Sequence, residues 1–300
     1  MVALGAALAT LPLLASCAAT SESRQDAEQR RAAAVLATGS DADSLAAAGL
    51  LALLRDRARS PALLERASAA APNRPDLVWL QIQVCVKVPA CDSASLEARL
   101  RSLDPSNGTG WLGSLARADQ LKDEEAVHSA MQALSRSDRV DIYWTTLIAH
   151  LVSVVVQSRT MPVPDAEALI IGILAAAAIP GYGVPNRYCK GERLQDPATV
   201  DLCRGVARAL ERGDTYLTEM MGTTIAMRVW PEGSPEWAAA ERARELYNDH
   251  FRLWEGISMR LSETQGAKEF LALNAQYHRE QDVWRAQLLA AGDSLDPPGN

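Results

Sequence analysis

The thiols are the side chains of this sequence best suited to chemistry, and there are only five in 300 residues. The stretch LLASCAAT, residues 13 to 20, sets Cys17 at the end of an apolar run. The other four fall into two close pairs, Cys85 with Cys91 in CVKVPAC and Cys189 with Cys203 in CKGERLQDPATVDLC. Neither pair has the CxxC spacing of zinc sites or thioredoxin-like centres, so metal binding and redox catalysis are poor readings. The histidines offer little more. His150 lies in LIAHLVSVVV, an apolar helical face, and reads as a core histidine; His128 follows two acidic residues and reads as solvated. His250 beside Asp249, and His278 near Glu280 and Asp282, have no second His or free Cys one helical turn away, so no metal or other cofactor is implied. Glu236, Glu241, Glu245 and Glu255 alternate with Arg242, Arg244 and Arg252 at three- and four-residue steps, the pattern of an ion-paired exposed face. No HExxH, GxSxG, SxxK or P-loop pattern occurs. Glycosidase-like chemistry needs only two carboxylates about 5 to 9.5 Å apart, which no sequence rule excludes, but no local motif marks a catalytic Glu.

The element that presents Cys17 is short. Residues 2 to 16 form an uncharged Ala/Leu-rich run, below the roughly 20 helical residues that a 30 Å hydrocarbon layer requires. Its length is that of a signal-peptide core. Leu14-Ala15-Ser16-Cys17 resembles the bacterial lipoprotein signal, with an aliphatic residue, two small ones and a Cys, although no Lys or Arg precedes the core. The resemblance implies cleavage after residue 16, a diacylglycerol on the Cys17 sulfur and an acylated amine. Ala18 in place of Asp implies delivery to the outer membrane of a Gram-negative cell, facing the periplasm. Two or more acyl chains hold a bilayer stably where one does not. An exported chain meets an oxidising compartment, so Cys85, Cys91, Cys189 and Cys203 are expected as two bridges. Of the three connectivities, the two local ones are favoured, because each pair brackets a Pro-containing turn.

A formal charge of −7 without a basic block argues against a nucleic-acid partner. Arg55, Arg57 and Arg59 are interrupted by Asp56 and read as a solvated helix end. Helix signals dominate the rest: abundant Ala and Leu, no alternating strand run, and Ser60-Pro61, Asp196-Pro197 and Ser234-Pro235 as helix starts. The pattern predicts an all-α protein with helices near 25–37, 42–58, 61–70, 75–87, 93–103, 108–120, 122–136 and 140–157. A second series is expected near 165–178, 197–212, 215–230, 235–263 and 267–290. AEALIIGILAAAAI, residues 166 to 179, is too short for a membrane span and reads as a core helix; the turn-rich segment 180–197 after it is the longest expected connection.

The first series is periodic. Trp79, Trp111 and Trp144 stand 32 and 33 residues apart, and Ala62, Ala94 and Ala126 are spaced by 32. This is the footprint of stacked helical hairpins. LDPSNGTGWLGSLA, residues 103 to 116, resembles the junction between tetratricopeptide repeats, and EEAVHSAMQAL, residues 124 to 134, resembles the second helix of such a unit. The expected organisation is a signal at 1–16, a tether at 17–24, a tetratricopeptide-like solenoid at 25–158 and a helical C-terminal region at 164–293. That architecture implies a scaffold in the periplasm that binds a protein or peptide in a groove lined by successive first helices. Gln83, Lys87, Arg117 and Asp119 are the candidate contacts. A cell-wall hydrolase or lyase using paired carboxylates, and a structural lipoprotein without a discrete ligand, are the alternatives.

Overall fold

The computed structural model describes residues 12–86, 88, 91–177, 181–258 and 262–292. Most of the expected signal at 1–16 lies outside the described residues, as do Lys87 and the side chain of Cys17. Among the described residues there is no strand, only helices and one isolated bridge between Asn107 and Arg139.

The helices are α1 (Pro12–Ala37), α2 (Ala42–Ala52), α3 (Ser60–Ala70), α4 (Pro75–Cys85), α5 (Ser93–Leu103), α6 (Thr109–Leu121), α7 (Glu124–Ser135) and α8 (Trp144–Gln157). There follow α9 (Val163–Ala175), α10 (Gly183–Tyr188), α11 (Pro197–Glu211), α12 (Tyr216–Val229), α13 (Pro235–Ser258), α14 (Thr264–Gln276) and α15 (Glu280–Ala291). Local chemistry sets most starts. Asp41, Asp92, Asp123, Asp196 and Thr215 each accept a backbone N–H of the first turn, satisfying a donor that the helix itself leaves open. Pro opens or nearly opens α3, α4, α9 and α11, where its missing N–H carries no penalty. Ser60 departs from its expected capping role. It is buried, and its hydroxyl donates to the Gly49 carbonyl at 2.7 Å, tying α3 to α2.

Several boundaries differ from the sequence expectation. The α1 helix begins at Pro12, so the expected tether at 17–24 is helical. The stretch 42–58 stops at Ala52 and continues as turns. Segment 180–197 is not a plain loop but holds α10 and a 3-10 turn at Gly191–Gln195. The single helix expected at 267–290 is two, α14 and α15, parted at Tyr277, whose backbone is extended.

Hairpins α2/α3, α4/α5 and α6/α7 stack in chain order, with α3 against α4 and α5 against α6, as in a solenoid. The three periodic tryptophans are not equivalent: Trp79 is wholly buried, whereas Trp111 is partly exposed beneath the Arg101 guanidinium, 4.4 Å from its ring centroid. One apolar core joins α1 to α5 with α8, α9 and Phe270 of α14; a second joins α6 and α7 with α10 to α13. The halves of the chain therefore interleave, α8 packing on α14 and α7 on α11. The bridge Cys189–Cys203 lies in the second core and ties the end of α10 to α11, with Cα atoms 5.7 Å apart.

At the α5–α6 contact Glu97 is buried at 1 % exposure, yet it is fully engaged. Arg117 donates two hydrogen bonds to its carboxylate, at 2.5 and 2.8 Å, and the Ser114 hydroxyl donates a third at 2.7 Å. Space for that carboxylate exists because residue 113 is Gly: a Cβ there would land on Glu97 Oε1. Gly113→Ala is therefore expected to destabilise the protein by about 1–3 kcal/mol through overpacking, although Ala is the better helix former. Urea denaturation measures it, and an unchanged or raised midpoint would contradict the packing argument.

Candidate functional site

A large cleft opens along α4 among the described residues. Helices α3 and α5 both pack on α4, and between them a groove of about 780 Å³ opens to solvent, within the usual range of ligand sites. Each wall is one helical stripe. Pro61, Leu64, Glu65 and Ser68 come from α3, Asp92, Ser95, Leu96 and Arg99 from the start and face of α5, and Gln81, Val84 and Cys85 form the floor along α4, with Val88 just beyond its end. The α3 and α5 sets follow the i, i+3, i+4, i+7 spacing that puts side chains on one face, and Gln81, Val84 and Cys85 follow its i, i+3, i+4 part. The bridge Cys85–Cys91, with Cα atoms 5.2 Å apart, closes one end by joining α4 to the turn before α5.

The groove is mainly apolar, with a few polar atoms at defined places. Two of them are buried and have no hydrogen bond: Ser68 Oγ, on a residue 1 % exposed, and Gln81 Oε1, on one 8 % exposed. At the mouth, Glu65 is exposed and has no partner among the described residues. Asp92 caps α5, and the Ser95 hydroxyl and N–H hold its carboxyl below the usual range, so it stays ionised at neutral pH. The Arg99 guanidinium is committed to the Pro72 carbonyl at 2.9 Å.

The candidate contacts do not meet on one surface. Gln83 is buried at 4 % exposure, two residues from Gln81 but on another side of α4. Arg117 is occupied by Glu97, and Asp119 is paired with Arg187 at 2.6 Å. Lys87 lies outside the described residues. The open cleft is bordered by the second helices α3 and α5 rather than by successive first helices.

No protein-family model, curated protein or solved structure matches the chain.

A second polar assembly was invisible in the sequence. Asp141, Asp214 and His278 come from three inter-helix linkers and join in one cluster with Asn107 and Tyr143; all but His278, which covers it from the exposed side, are buried. Asp214 accepts the N–H groups of Ile142 at 2.9 Å and Trp144 at 2.8 Å, and hydrogen-bonds the Asp141 carboxyl. Asp141 accepts from the Tyr143 N–H at 2.7 Å and from His278 Nε2 at 2.5 Å. Asn107 binds both the N–H and the carbonyl of Asp141, at 2.9 and 2.8 Å. Tyr143 sits at φ 59°, a left-handed conformation that non-glycine residues seldom adopt, held by that N–H bond and by its hydroxyl donating to Asp104 at 2.8 Å. These bonds explain why α8 starts at Trp144 rather than near 140.

Burial, followed by the neighbouring Asp141 charge, pushes the Asp214 carboxyl well up. For Asp141 burial acts in the same upward direction, but hydrogen bonds from His278 and Asp214 outweigh it and hold the group low. The pair therefore shares one proton, with Asp214 carrying it. The two carboxyls touch, whereas the glycosidase geometries require about 5 to 9.5 Å between them. With their oxygens turned to backbone N–H groups and His278, they position linkers and do not favour the hydrolase reading. Of the other histidines, His150 is half-exposed on Asp43 rather than in the core, and His128 Nδ1 meets the Tyr188 hydroxyl at 2.7 Å.

Proposed function

We propose that this chain is an exported, lipid-anchored scaffold that binds a protein partner in the α3–α4–α5 groove. The observation that carries the reading is the groove itself, a mainly apolar cleft lined by two residues, Ser68 and Gln81, whose buried polar atoms have no partner. Such orphaned atoms cost about 1–3 kcal/mol each, and a ligand that supplies the missing bonds removes the penalty. Among the described residues no helix is long and apolar enough to cross a membrane, and the proposed anchor is the lipid on Cys17 that the Leu14-Ala15-Ser16-Cys17 resemblance implies. The outer membrane, on its periplasmic face, is the proposed address.

Photo-crosslinking in intact cells tests the binding role. A benzophenone side chain placed at Glu65 is expected to capture a discrete partner, while the same probe at Arg285, far along the chain on α15, does not. Equal or absent adducts at the two positions would remove the basis for a groove-directed scaffold. The anchor has its own test: Cys17→Ser is expected to abolish the lipid mass increment and release the protein from the membrane fraction. Continued membrane fractionation, with no lipid mass in either form, would refute the anchor.

A further inference from the structure

The chemistry of the groove specifies its occupant more narrowly, and this step rests on the scaffold reading above. We infer that the groove takes a short extended peptide segment with apolar side chains and one basic residue, and that Ser68 and Gln81 read its backbone amides while Glu65 reads the positive charge.

Three observations converge on this class. First, Gln81 Oε1 is a pure acceptor and Ser68 Oγ accepts as readily as it donates, so both suit an N–H arriving from the ligand. A hydrocarbon chain would fill the apolar walls but leave these atoms dry and unpaired. A peptide carries an N–H at nearly every residue and apolar side chains between them. Second, the groove is short. From Pro61 to Ala69 the α3 wall rises about 12 Å at 1.5 Å per residue, which matches about four residues of extended chain at 3.3 Å each. A helical ligand of that length would present a single turn. Third, acid outweighs base among the described lining residues: Glu65 has no partner and Asp92 is held ionised, against Arg99, whose guanidinium is turned to the Pro72 carbonyl. A Lys, Arg or free amine on the peptide supplies the missing countercharge, whereas an acidic segment would be repelled.

The test uses the full chain in detergent and fluorescence anisotropy with labelled, amide-capped pentapeptides of Val, Leu and Ala carrying one Lys. A matched series with Glu in place of Lys and a labelled palmitate serve as competitors in kind. The Lys series is expected to saturate and the Glu series to bind at least tenfold more weakly. Ser68→Ala and Gln81→Met should each weaken the Lys series about fivefold, the usual worth of one neutral hydrogen bond. Glu65→Lys should erase the preference for Lys over Glu.

N-methylation of each peptide amide in turn needs no protein variant, and two positions are expected to lose about fivefold. The inference is overturned if no Lys peptide saturates, if palmitate binds and the peptides do not, or if N-methylation at every position is neutral. Its failure is separable from that of the scaffold reading. A partner crosslinked at Glu65 despite unbound pentapeptides leaves the scaffold standing with a different occupant. Pentapeptide binding without any crosslinked partner in cells removes the scaffold and keeps the peptide site.

Discussion

Asp214→Ala is expected to lower the unfolding free energy by about 4 kcal/mol, the largest loss from any single polar truncation in this protein. The substitution strips the acceptor from two buried backbone donors, the N–H groups of Ile142 and Trp144, each penalised by about 1–3 kcal/mol when left unpaired. It also removes the proton that Asp141 shares, leaving that carboxylate buried with less compensation. Against a typical total of about 5–15 kcal/mol the change is severe. The consequences reach beyond one linker, because the cluster gathers chain segments that are otherwise remote. Asp214 holds the start of α8, Asp141 holds His278, and the Glu280 N–H donates to the Asp214 carbonyl at 2.8 Å. Loss of the knot should therefore loosen α14 and α15 along with α8, and hydrogen exchange would report faster opening in all three.

The conservative variant separates charge from connectivity. Asp214→Asn keeps one acceptor and offers an amide N–H toward Asp141 in place of the shared proton, so about half the destabilisation is expected. Urea denaturation at pH 7 measures both variants. If Asp214→Ala lost less than about 1 kcal/mol, the linkers would have to be held by packing alone, and the assignment of the cluster as their anchor would be wrong.

The helices were legible because their signals are local. Asp41, Asp92, Asp123, Asp196 and Thr215 each announce a start within four residues, and the apolar period supplies the body. The groove was half legible: its three stripes are present in the sequence as i, i+3, i+4, i+7 sets, but nothing in the sequence says which stripe meets solvent. Gln83 is the polar residue of α4 that the repeat pattern points to, yet two residues along a helix is a turn of about 200°, so it faces the core while Gln81 faces the cleft. The polar knot was illegible for a different reason. His278 and Asp141 are 137 residues apart, and Asp214 reaches Ile142 across 72, so no window of sequence contains the constellation. The break between α14 and α15 follows from it. Tyr277-His278-Arg279 carries no Gly or Pro, but His278 bonds to Asp141 and Arg279 donates to the Gly213 carbonyl at 3.1 Å, and tertiary bonds override a helical pattern there.

The other large effect is a gain in stability. Glu167 sits on α9 at 3 % exposure, its Oε1 has no hydrogen-bond partner, and burial pushes its carboxyl up to about 8. The sign follows from proton counting. Between the ordinary carboxylate value of 4.5 and about 8, the folded chain retains a proton that the unfolded chain has released. Stability must then fall as pH rises through that window, by as much as about 4 kcal/mol from this group, and level off above it. Glu211 and Glu280, each raised to about 7 chiefly by burial, act in the same direction over a narrower range. His278 adds to the trend: its value is raised by the hydrogen bond to Asp141, so its contribution is complete below the ordinary imidazole range and is lost as pH climbs through the folded value. Glu167→Gln removes the titration while keeping the shape. At pH 8 it is expected to be about 2–4 kcal/mol more stable than the parent, and at pH 4 nearly equal to it, since the parent carboxyl is then neutral in both states. Glu167→Leu should gain at least as much at pH 8, because it also removes an orphaned buried oxygen from α9. Urea midpoints at the two pH values decide the matter. A Gln variant whose advantage is the same at pH 4 and pH 8 would show that Glu167 ionises normally in the fold, and that α9 admits water at this position.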